Sequence, residues 1–254
     1  METRHSQIRL YIDAPLHDGA EVALAREHSH YLGTVMRKSA GTQLAVFNGR
    51  DGCYLAEIVE IGRKSGVLRC LSLQEAQWYG PDLWLLFAPV KKARLDFMAQ
   101  KATELGASTI WPVRTAYCQV KAIKDERLEA NAIEAAEQTE RLDIPEIKPF
   151  TALDELLANW PDDRALLFCD ERLASDQNHD AARILSDVTQ TKAAVLIGPE
   201  GGFSMEEKAK IDALEASYGL SLGPRILRAD TAALSALSLY QAVRGDWAAS
   251  RSSS

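Results

Sequence analysis

This chain of 254 residues has few of the features that build disulfide frameworks, metal sites or membrane spans. Its only cysteines are Cys53, Cys70, Cys118 and Cys169, which lie far apart without a C-x-x-C pair. This spacing argues against a zinc site or disulfides and favours a reducing compartment, with the cysteines as small buried residues. No apolar run approaches the roughly 20 residues that span a bilayer, and residues 1–5 lack a signal-like apolar core. We therefore expect a cytoplasmic protein that uses no membrane and no metal.

Positive charge and phosphate-binding signatures are also scarce. Neither G-x-G-x-x-G nor G-x-x-x-x-G-K-S/T occurs. The formal net charge of −7 opposes a nucleic-acid partner when the whole chain is considered. However, residues 1–75 contain nine Lys/Arg and nine Asp/Glu and are therefore neutral. The net negative charge of the chain lies entirely in the residues after 75. Local basic clusters at 37–38, 63–64 and 91–94 suit phosphate contacts, with a solvated surface as the alternative.

The most informative feature that is present is a pair of Gly-Pro corners. Gly198-Pro199 follows the apolar run 193–197, and Gly223-Pro224 follows the run 220–222. Both runs are typical of buried parallel strands, and each corner leads toward a helix. Open α/β sheets bind ligands at the carboxyl ends of their strands. The corners therefore predict one shared crevice at the ends of neighbouring strands.

Two residues of the first corner limit the ligand. Pro199 removes a backbone N–H and Glu200 adds negative charge, and both changes disfavour a polyphosphate. The loop better suits an adenine and ribose contacted by backbone groups, together with a cationic centre. The sulfonium of S-adenosylmethionine fits this description. The alternative is a plain strand-to-helix turn, which the loop alone leaves open.

The pattern of elements changes near residue 75 and predicts domains at 1–75 and 76–254. The first domain contains short alternating segments typical of a small β-barrel, and the second alternates strands and helices as in a parallel α/β sheet. Ser204 to Glu207 is a capping box that predicts a helix start, and Gly106 is expected to end a helix. The predicted strands are 8–12, 43–47, 54–61, 67–73, 84–88, 108–112, 165–168, 193–197 and 220–222. The predicted helices are 95–105, 125–141 and 232–247, with a helical turn at 30–37.

The two corners closely resemble the RsmE family of SPOUT-class RNA methyltransferases, which methylate N3 of a uridine in small-subunit ribosomal RNA. The matching residues are 196–202, 222–228, 231 and 232, with further matches at 30–37, 101–106, 137–141 and 145–147. Three positions depart from the family pattern. Asp230 replaces a Glu, Tyr117 occupies the Arg position of an S-x-R-C segment, and Glu140 replaces a Gly.

The resemblance implies a SPOUT-type parallel sheet with a C-terminal trefoil knot, preceded by a PUA-like RNA-binding β-barrel. It also implies methylation of ribosomal RNA, within the small subunit, by a homodimer that uses S-adenosylmethionine. The outer side of helix 232–247 offers Ala232, Leu239 and Ala242 for the dimer contact. The alternatives are a non-catalytic ribosome assembly factor of the same fold and a small-molecule α/β enzyme with an added β-domain.

The resemblance and the chemistry of the residues together assign site residues to three groups. The residues expected to bind the methyl donor are Leu196, Ile197, Gly198, Pro199, Glu200, Gly201, Gly202, Leu222, Gly223, Arg225, Ile226, Leu227, Thr231 and Ala232. Arg228, Asp230 and Glu200 are expected near the reacting atoms. Arg9, His30, Arg37, Lys91 and Lys101 are expected to contact RNA.

Several of these residues have a simpler structural alternative. Arg225 and Arg228 are also suited to internal ion pairs, and Glu200 to bonding its own loop. Lys101 is three residues before Glu104 on one helix face and suits an ion pair, while His30 suits a structural role. For catalysis, transfer to uridine N3 requires removal of the imide proton or stabilisation of the resulting anion, which a carboxylate or an arginine can provide.

Overall fold

The computed structural model describes residues 7–89, 92–173 and 179–247. The strands are β1 (Arg9–Tyr11), β2 (Glu21–Ala23), β3 (Gln43–Phe47), β4 (Cys53–Ile61), β5 (Gly66–Glu75), β6 (Leu83–Phe87), β7 (Thr109–Arg114), β8 (Glu146–Ile147), β9 (Thr151–Ala152), β10 (Arg164–Cys169), β11 (Lys192–Ile197) and β12 (Ser217–Leu220). The α-helices are α1 (Arg26–His30), α2 (Lys92–Glu104), α3 (Asp125–Gln138), α4 (Leu153–Ala158), α5 (Ala181–Asp187), α6 (Met205–Asp212) and α7 (Ala229–Val243). A π-helical segment covers Tyr31–Val35 and a 3-10 turn covers Glu171–Leu173.

The chain forms two compact units, and the first is built around a β-sheet. This unit extends to Tyr79 and also includes Ala136–Ile144. Its strand order is β1-β3-β4-β5-β2, with β1 parallel to β3 and the other pairs antiparallel. Alternating strand residues, including Val46, Ile58 and Leu68, point into its apolar core. The structure therefore confirms that the N-terminal domain is built on a β-sheet.

The later segment Ala136–Ile144 belongs to this first unit, which composition alone does not indicate. The N–H of Tyr11 donates to Glu137 Oε1 at 2.8 Å, and Arg9 Nη2 donates to the carbonyl of Arg141 at 3.0 Å. Buried Arg141 forms hydrogen bonds of 2.8 and 2.7 Å to the carboxylate of Asp143. These contacts attach the segment to β1.

The second unit contains Gly80–Ala135 and the chain from Pro145 onward, and it is a parallel α/β structure. The main strand order is β12-β10-β11-β6-β7-β8, and every pair is parallel. Leu85 and Phe87 of β6 pack with residues of α2 and α7, whereas Leu86 packs with residues of α4 and α6. Successive side chains point to opposite faces of a strand, so helices cover both faces of the sheet. This confirms the predicted α/β class.

Several expected boundaries differ from the observed ones, and three of them have a clear physical reason. The strand expected at 220–222 is β12, which ends at Leu220 and starts in the polar sequence before Gly219. A Cβ on Gly219 would approach Leu173 Cδ1 to 2.6 Å and Phe168 Cζ to 3.0 Å, so this position of the strand favours glycine. A search for apolar runs does not include glycine and therefore places the strand too late. The helix expected at 125–141 ends at Gln138, because Glu140 has a φ of 59°.

The last helix also differs from its prediction. It spans Ala229–Val243 rather than 232–247, because the chain folds back at Gly245, whose N–H donates to the carbonyl of Tyr240 at 2.9 Å. In the sequence, Val243 and Trp247 fall on one helical stripe with Ala233, Ala236, Leu237 and Tyr240, which predicts that they are buried, but both are exposed. Conversely, Ala232, expected on the outer side, lies in the core, and Leu239 is partly buried against it. Every helix within the described ranges is too short or too polar to cross a membrane.

Candidate functional site

The two Gly-Pro corners line one cavity of about 280 Å³ at the carboxyl ends of three strands of the parallel sheet. The predicted crevice is therefore present, but its strands are not direct neighbours. β10 lies between β11 and β12 and pairs with both. The lining consists of Cys169, Asp170, Ile197, Gly198, Pro199, Glu200, Gly202, Phe203, Leu220, Leu222, Gly223, Arg225, Ile226, Leu227, Arg228, Ala229 and Ala232.

Most of the residues predicted to bind the methyl donor belong to this lining, and three do not. Leu196 is fully buried and packs on the opposite face of the sheet from Ile197, as strand alternation requires. A Cβ built on Gly201 would point toward Tyr117. Thr231 is exposed in the first turn of α7. Of the residues expected near the reacting atoms, Arg228 and Glu200 line the cavity and Asp230 does not.

Sequence reasoning missed the contribution of β10. Cys169 is its last residue and Asp170 follows directly, and both line the cavity. Phe203, just after the glycine pair, was also missed. The available signal was the predicted strand 165–168, since residues directly beyond the carboxyl end of a parallel strand face such a crevice. The sequence pattern did not show that this strand lies between the other two.

The first corner is shaped by Gly198 and Phe203. A Cβ on Gly198 would lie 3.0 Å from Phe203 Cζ and 3.1 Å from Cε2, so the ring occupies the space of a side chain. The N–H of Gly202 donates to the carbonyl of Pro199 at 2.8 Å, and Gly202 has a φ of 70°. Ser204 then begins α6 with a capping box completed by Glu207, which confirms the predicted helix start.

Asp170 places a buried carboxylate in the lining. Burial acts to raise its pKa, but hydrogen bonds from the side chain and backbone of Arg172 and the charges of Arg172 and Lys208 outweigh burial and lower the pKa below 3.8. The bond from Arg172 Nη2 measures 2.8 Å, and those from the Arg172 N–H and Nε each measure 3.0 Å. Asp170 therefore stays ionised at neutral pH, with its charge partly balanced by Arg172, and its carboxylate is a candidate partner for a cationic ligand centre.

Neighbouring Cys169 has the opposite character. Burial raises the pKa of its thiol to about 12. The thiol is therefore neutral at physiological pH and is a poor nucleophile. Cys169 thus contributes a small, uncharged surface to the lining.

Arg94 of α2 connects the two corners through their carboxylates. Its Nη1 lies 3.6 Å from Glu200 Oε1, and its Nε lies 3.8 Å from Asp230 Oδ2. Asp230 also accepts the N–H of Thr231 at 2.9 Å through Oδ1. Glu200 is mostly exposed, whereas Asp230 is largely buried. The arrangement brings two carboxylates and one guanidinium together beside the cavity.

Arg225 and Arg228 are exposed residues of the second corner. Neither forms an ion pair with a carboxylate elsewhere in residues 7–89, 92–173 and 179–247, so the internal ion pairs considered for them are not formed there. Their guanidinium groups are available to a ligand that carries a carboxylate or phosphate.

The residues predicted to contact RNA fall into different environments. Arg9 stacks 4.8 Å above the ring of Phe47 in addition to its bond to Arg141, so it is engaged within the first unit. His30 and Arg37 are exposed, and Arg37 has a φ of 52°. Lys101 donates to both oxygens of Glu104 at 2.7 Å, as the simpler alternative anticipated. Lys91 lies outside the described residues.

Comparisons with known proteins bear on both units. An RNA methyltransferase domain family matches residues 79–241, and an RNA methyltransferase PUA domain family matches residues 24–69. Ribosomal RNA small subunit methyltransferase E of Rickettsia conorii is 34% identical over 231 residues, covering 90% of this chain and 93% of that protein.

Two solved structures are also similar over nearly the full length of this chain. A methyltransferase of Legionella pneumophila in complex with its cofactor SAM has a TM-score of 0.82 at 32% identity, covering 94% of this chain and 99% of that one. The ribosomal RNA small subunit methyltransferase E of Neisseria gonorrhoeae bound to S-adenosyl methionine has a TM-score of 0.83 at 26% identity, covering 95% and 99%.

Proposed function

Because this chain belongs to the ribosomal RNA small subunit methyltransferase E family, we propose that it transfers the methyl group of S-adenosylmethionine to N3 of a uridine in small-subunit ribosomal RNA. The observation that carries the proposal is the single cavity formed by the two Gly-Pro corners. Its size, its apolar lining and its carboxylates suit a nucleoside attached to a cationic centre.

The cavity residues fit S-adenosylmethionine by their chemistry. Ile197, Leu222 and Leu227 supply apolar surface for an adenine ring. Gly202 and Gly223 line the cavity with positive φ, and no other part of the described chain comes within 4 Å of a Cβ position on either residue. Backbone groups there are therefore open to a ligand. Asp170 and Glu200 supply the negative charge that a sulfonium favours. When bound, S-adenosylmethionine supplies an electrophilic methyl group.

Transfer to uridine N3 then requires two things of the protein: a group that accepts the N3 proton and a group that stabilises negative charge on the uracil ring. Uridine N3 loses its proton as the bond to carbon forms, and the carboxylates of Glu200 and Asp230 are the candidate acceptors for that proton. The exposed guanidinium of Arg228 is positioned in the lining to stabilise negative charge on the uracil carbonyl oxygens. Arg94 holds the two carboxylates beside the cavity.

Modification mapping tests the function directly. Small-subunit ribosomal RNA from a strain lacking this protein should lose one N3-methyluridine, and purified protein with S-adenosylmethionine should restore it. Asp230→Asn and Glu200→Gln should separate the two candidate bases, because loss of the base lowers kcat. Asp230 lies outside the cavity lining, so Asp230→Asn should leave donor affinity unchanged, whereas Glu200→Gln should also weaken donor binding. The proposal fails if every N3-methyluridine persists in the deletion strain.

We also propose that the natural substrate is RNA within the small ribosomal subunit, in the cytoplasm. The first unit, whose sequence is charge-neutral up to residue 75, is the proposed RNA-binding part. Methylation rates of naked RNA and of isolated small subunits, measured side by side, test this. A clear preference for naked RNA would contradict the assembled substrate.

Two finer features implied by the family complete the proposal: a homodimer as the active form, and a trefoil knot with a closed N-terminal barrel. Exposed large apolar residues of the second unit, including Phe97, Val243 and Ile226, support an association surface. Sedimentation at assay concentration tests the dimer, and an active monomer would reject it. A crystal structure traced through residues 80–247 tests the knot.

A further inference from the structure

An aromatic side chain next to the cavity has no role in the reaction described above. Tyr117 lies in the loop after β7, and 54% of the residue surface is exposed. A Cβ on Gly201 would lie 3.5 Å from Tyr117 Cβ and 3.6 Å from Cγ and Cδ2. Gly201 separates the lining residues Glu200 and Gly202. The base of the tyrosine ring therefore rests against the donor loop, while most of the side chain stays open to solvent.

A buried carboxylate fixes this tyrosine loop to the donor loop. Glu207 Oε1 accepts the N–H of Ala116 at 2.7 Å, and Oε2 accepts the N–H of Ser204 at 2.8 Å. Glu207 is buried, so water does not compete strongly for these charge-assisted bonds. Ala116 directly precedes Tyr117, and Ser204 directly follows the donor loop. One side chain thus sets the position of the tyrosine relative to the glycines.

The tyrosine is held at its base, while its ring is exposed. Its hydroxyl has no hydrogen-bond partner within the part of the chain that the structure describes. A tyrosine that is exposed, rigidly supported and adjacent to a ligand cavity is typical of a recognition surface, since it presents a large planar area at low entropic cost.

We propose that Tyr117 is a stacking surface for an unpaired nucleobase of the RNA substrate. This inference rests on the proposed function, because it assigns a substrate contact beside the same cavity. An enzyme that acts on a base takes it out of its stack and leaves unpaired planar surfaces. Sequence-specific RNA recognition pairs such bases with aromatic side chains. Glu207 is then the positioning residue that holds the ring in place.

The matched variants Tyr117→Ala and Tyr117→Phe test the stacking role. Base–aromatic stacking contributes about 1–3 kcal/mol, so Tyr117→Ala should raise the Kd for a small-subunit ribosomal RNA transcript by about 5- to 150-fold. Tyr117→Phe retains the ring face and should bind like the wild type. Glu207→Gln should weaken RNA binding with the ring retained. Calorimetry should give the same S-adenosylmethionine affinity for both Tyr117 variants.

A direct contact should also be visible by crosslinking. Irradiation of a transcript containing 5-bromouridine should attach RNA to the peptide that contains Tyr117 in the wild type. An unchanged RNA Kd for Tyr117→Ala, or an equal loss for Tyr117→Phe, would overturn the stacking role. Failure of the wild type to methylate the RNA would instead overturn the proposed function, so the two failures are distinguishable.

Discussion

Gly198 lies directly against the ring of Phe203, which comes within 3.0 Å of where a Cβ on Gly198 would be. For Gly201, three residues on, the nearest described neighbour of a Cβ position is Tyr117 Cβ at 3.5 Å. The two glycines of one loop therefore differ in whether a side chain fits at their position. Gly198 is required by an internal contact within the cavity lining, while an alanine fits at Gly201.

This difference predicts opposite outcomes for two single-methyl substitutions. Gly198→Ala should displace Phe203 and lower the affinity for S-adenosylmethionine roughly tenfold, as overpacking of about 1–3 kcal/mol would do. Gly201→Ala should leave donor affinity unchanged, because its Cβ only reaches ordinary contact with Tyr117. Calorimetry on both folded variants checks the prediction. Equal losses would show that the cavity does not depend on the Phe203 contact.

A second glycine pair tests stability rather than binding. Gly106 and Gly202 have φ values of 79° and 70°, so alanine strains both by roughly 1–2 kcal/mol. At Gly106 the new methyl would also overlap Nε2 of fully buried Gln241, which donates to the carbonyl of Leu105 at 2.8 Å. Gly106→Ala should therefore cost about 1–3 kcal/mol more than Gly202→Ala. Equal melting temperatures for the two variants would contradict this.

Arg37 and Arg9 should behave differently in RNA binding. Exposed Arg37 is free to neutralise a phosphate, so Arg37→Gln should reduce the slope of log K against log salt by about 1 without loss of stability. Arg9→Gln should instead lower the melting temperature, because it removes the bond to Arg141 and the contact with Phe47. Salt titrations and thermal unfolding separate these effects. An unchanged slope for Arg37→Gln would place the RNA elsewhere.

The raised pKa of Cys169 predicts slow alkylation. With a pKa of about 12, the reactive thiolate is scarce at pH 8 and increases only as pH approaches that value. Iodoacetamide should therefore modify Cys169 far more slowly in the folded protein than in urea, and mass spectrometry of the peptide measures both rates. Equal rates in the two conditions would show that the thiol is not shielded.

Asp170 should make the stability of the protein depend on pH. Its pKa is lower in the folded state than the ordinary value of 3.8, so its ionised form stabilises the fold above that pH. This contribution is lost as pH falls through the folded pKa. Asp170→Asn should therefore destabilise the protein at pH 7, and the difference from wild type should shrink on acidification.

Asp163 provides a matched control for Asp170. Its pKa is also lowered, chiefly by a hydrogen bond from Lys192, but its side chain is 60% exposed, against 6% for Asp170. Solvent screens an exposed pair, so Asp163→Asn should have a much smaller effect at pH 7. Similar losses for the two variants would contradict the role of burial.

Much of the second unit could be predicted because its strands are continuous apolar runs. The run 193–197 matches β11 within one residue, and the capping box at Ser204 fixes the start of α6. The predicted position of β12 was wrong because Gly219 satisfies a packing requirement set by the distant residues Leu173 and Phe168. Such a requirement has no local signature in the sequence.

Local sequence patterns also identified only some of the residues that line the cavity. Both Gly-Pro corners were identifiable, since glycine and proline mark turns wherever they occur. Asp170 was missed because its place depends on β10 lying between β11 and β12, which is a property of the whole sheet. The Arg94 contacts with Glu200 and Asp230 likewise join three segments that are far apart in sequence.

The return of Ala136–Ile144 to the first unit has a consequence for how the protein is made. A nascent chain that has emerged only to Tyr79 contains every strand of the first sheet but lacks Arg141, Asp143 and the Glu137 acceptor of the Tyr11 N–H. The first unit therefore cannot complete its packing until Ile144 has emerged from the ribosome. By then, β6 and β7 of the second sheet have already emerged.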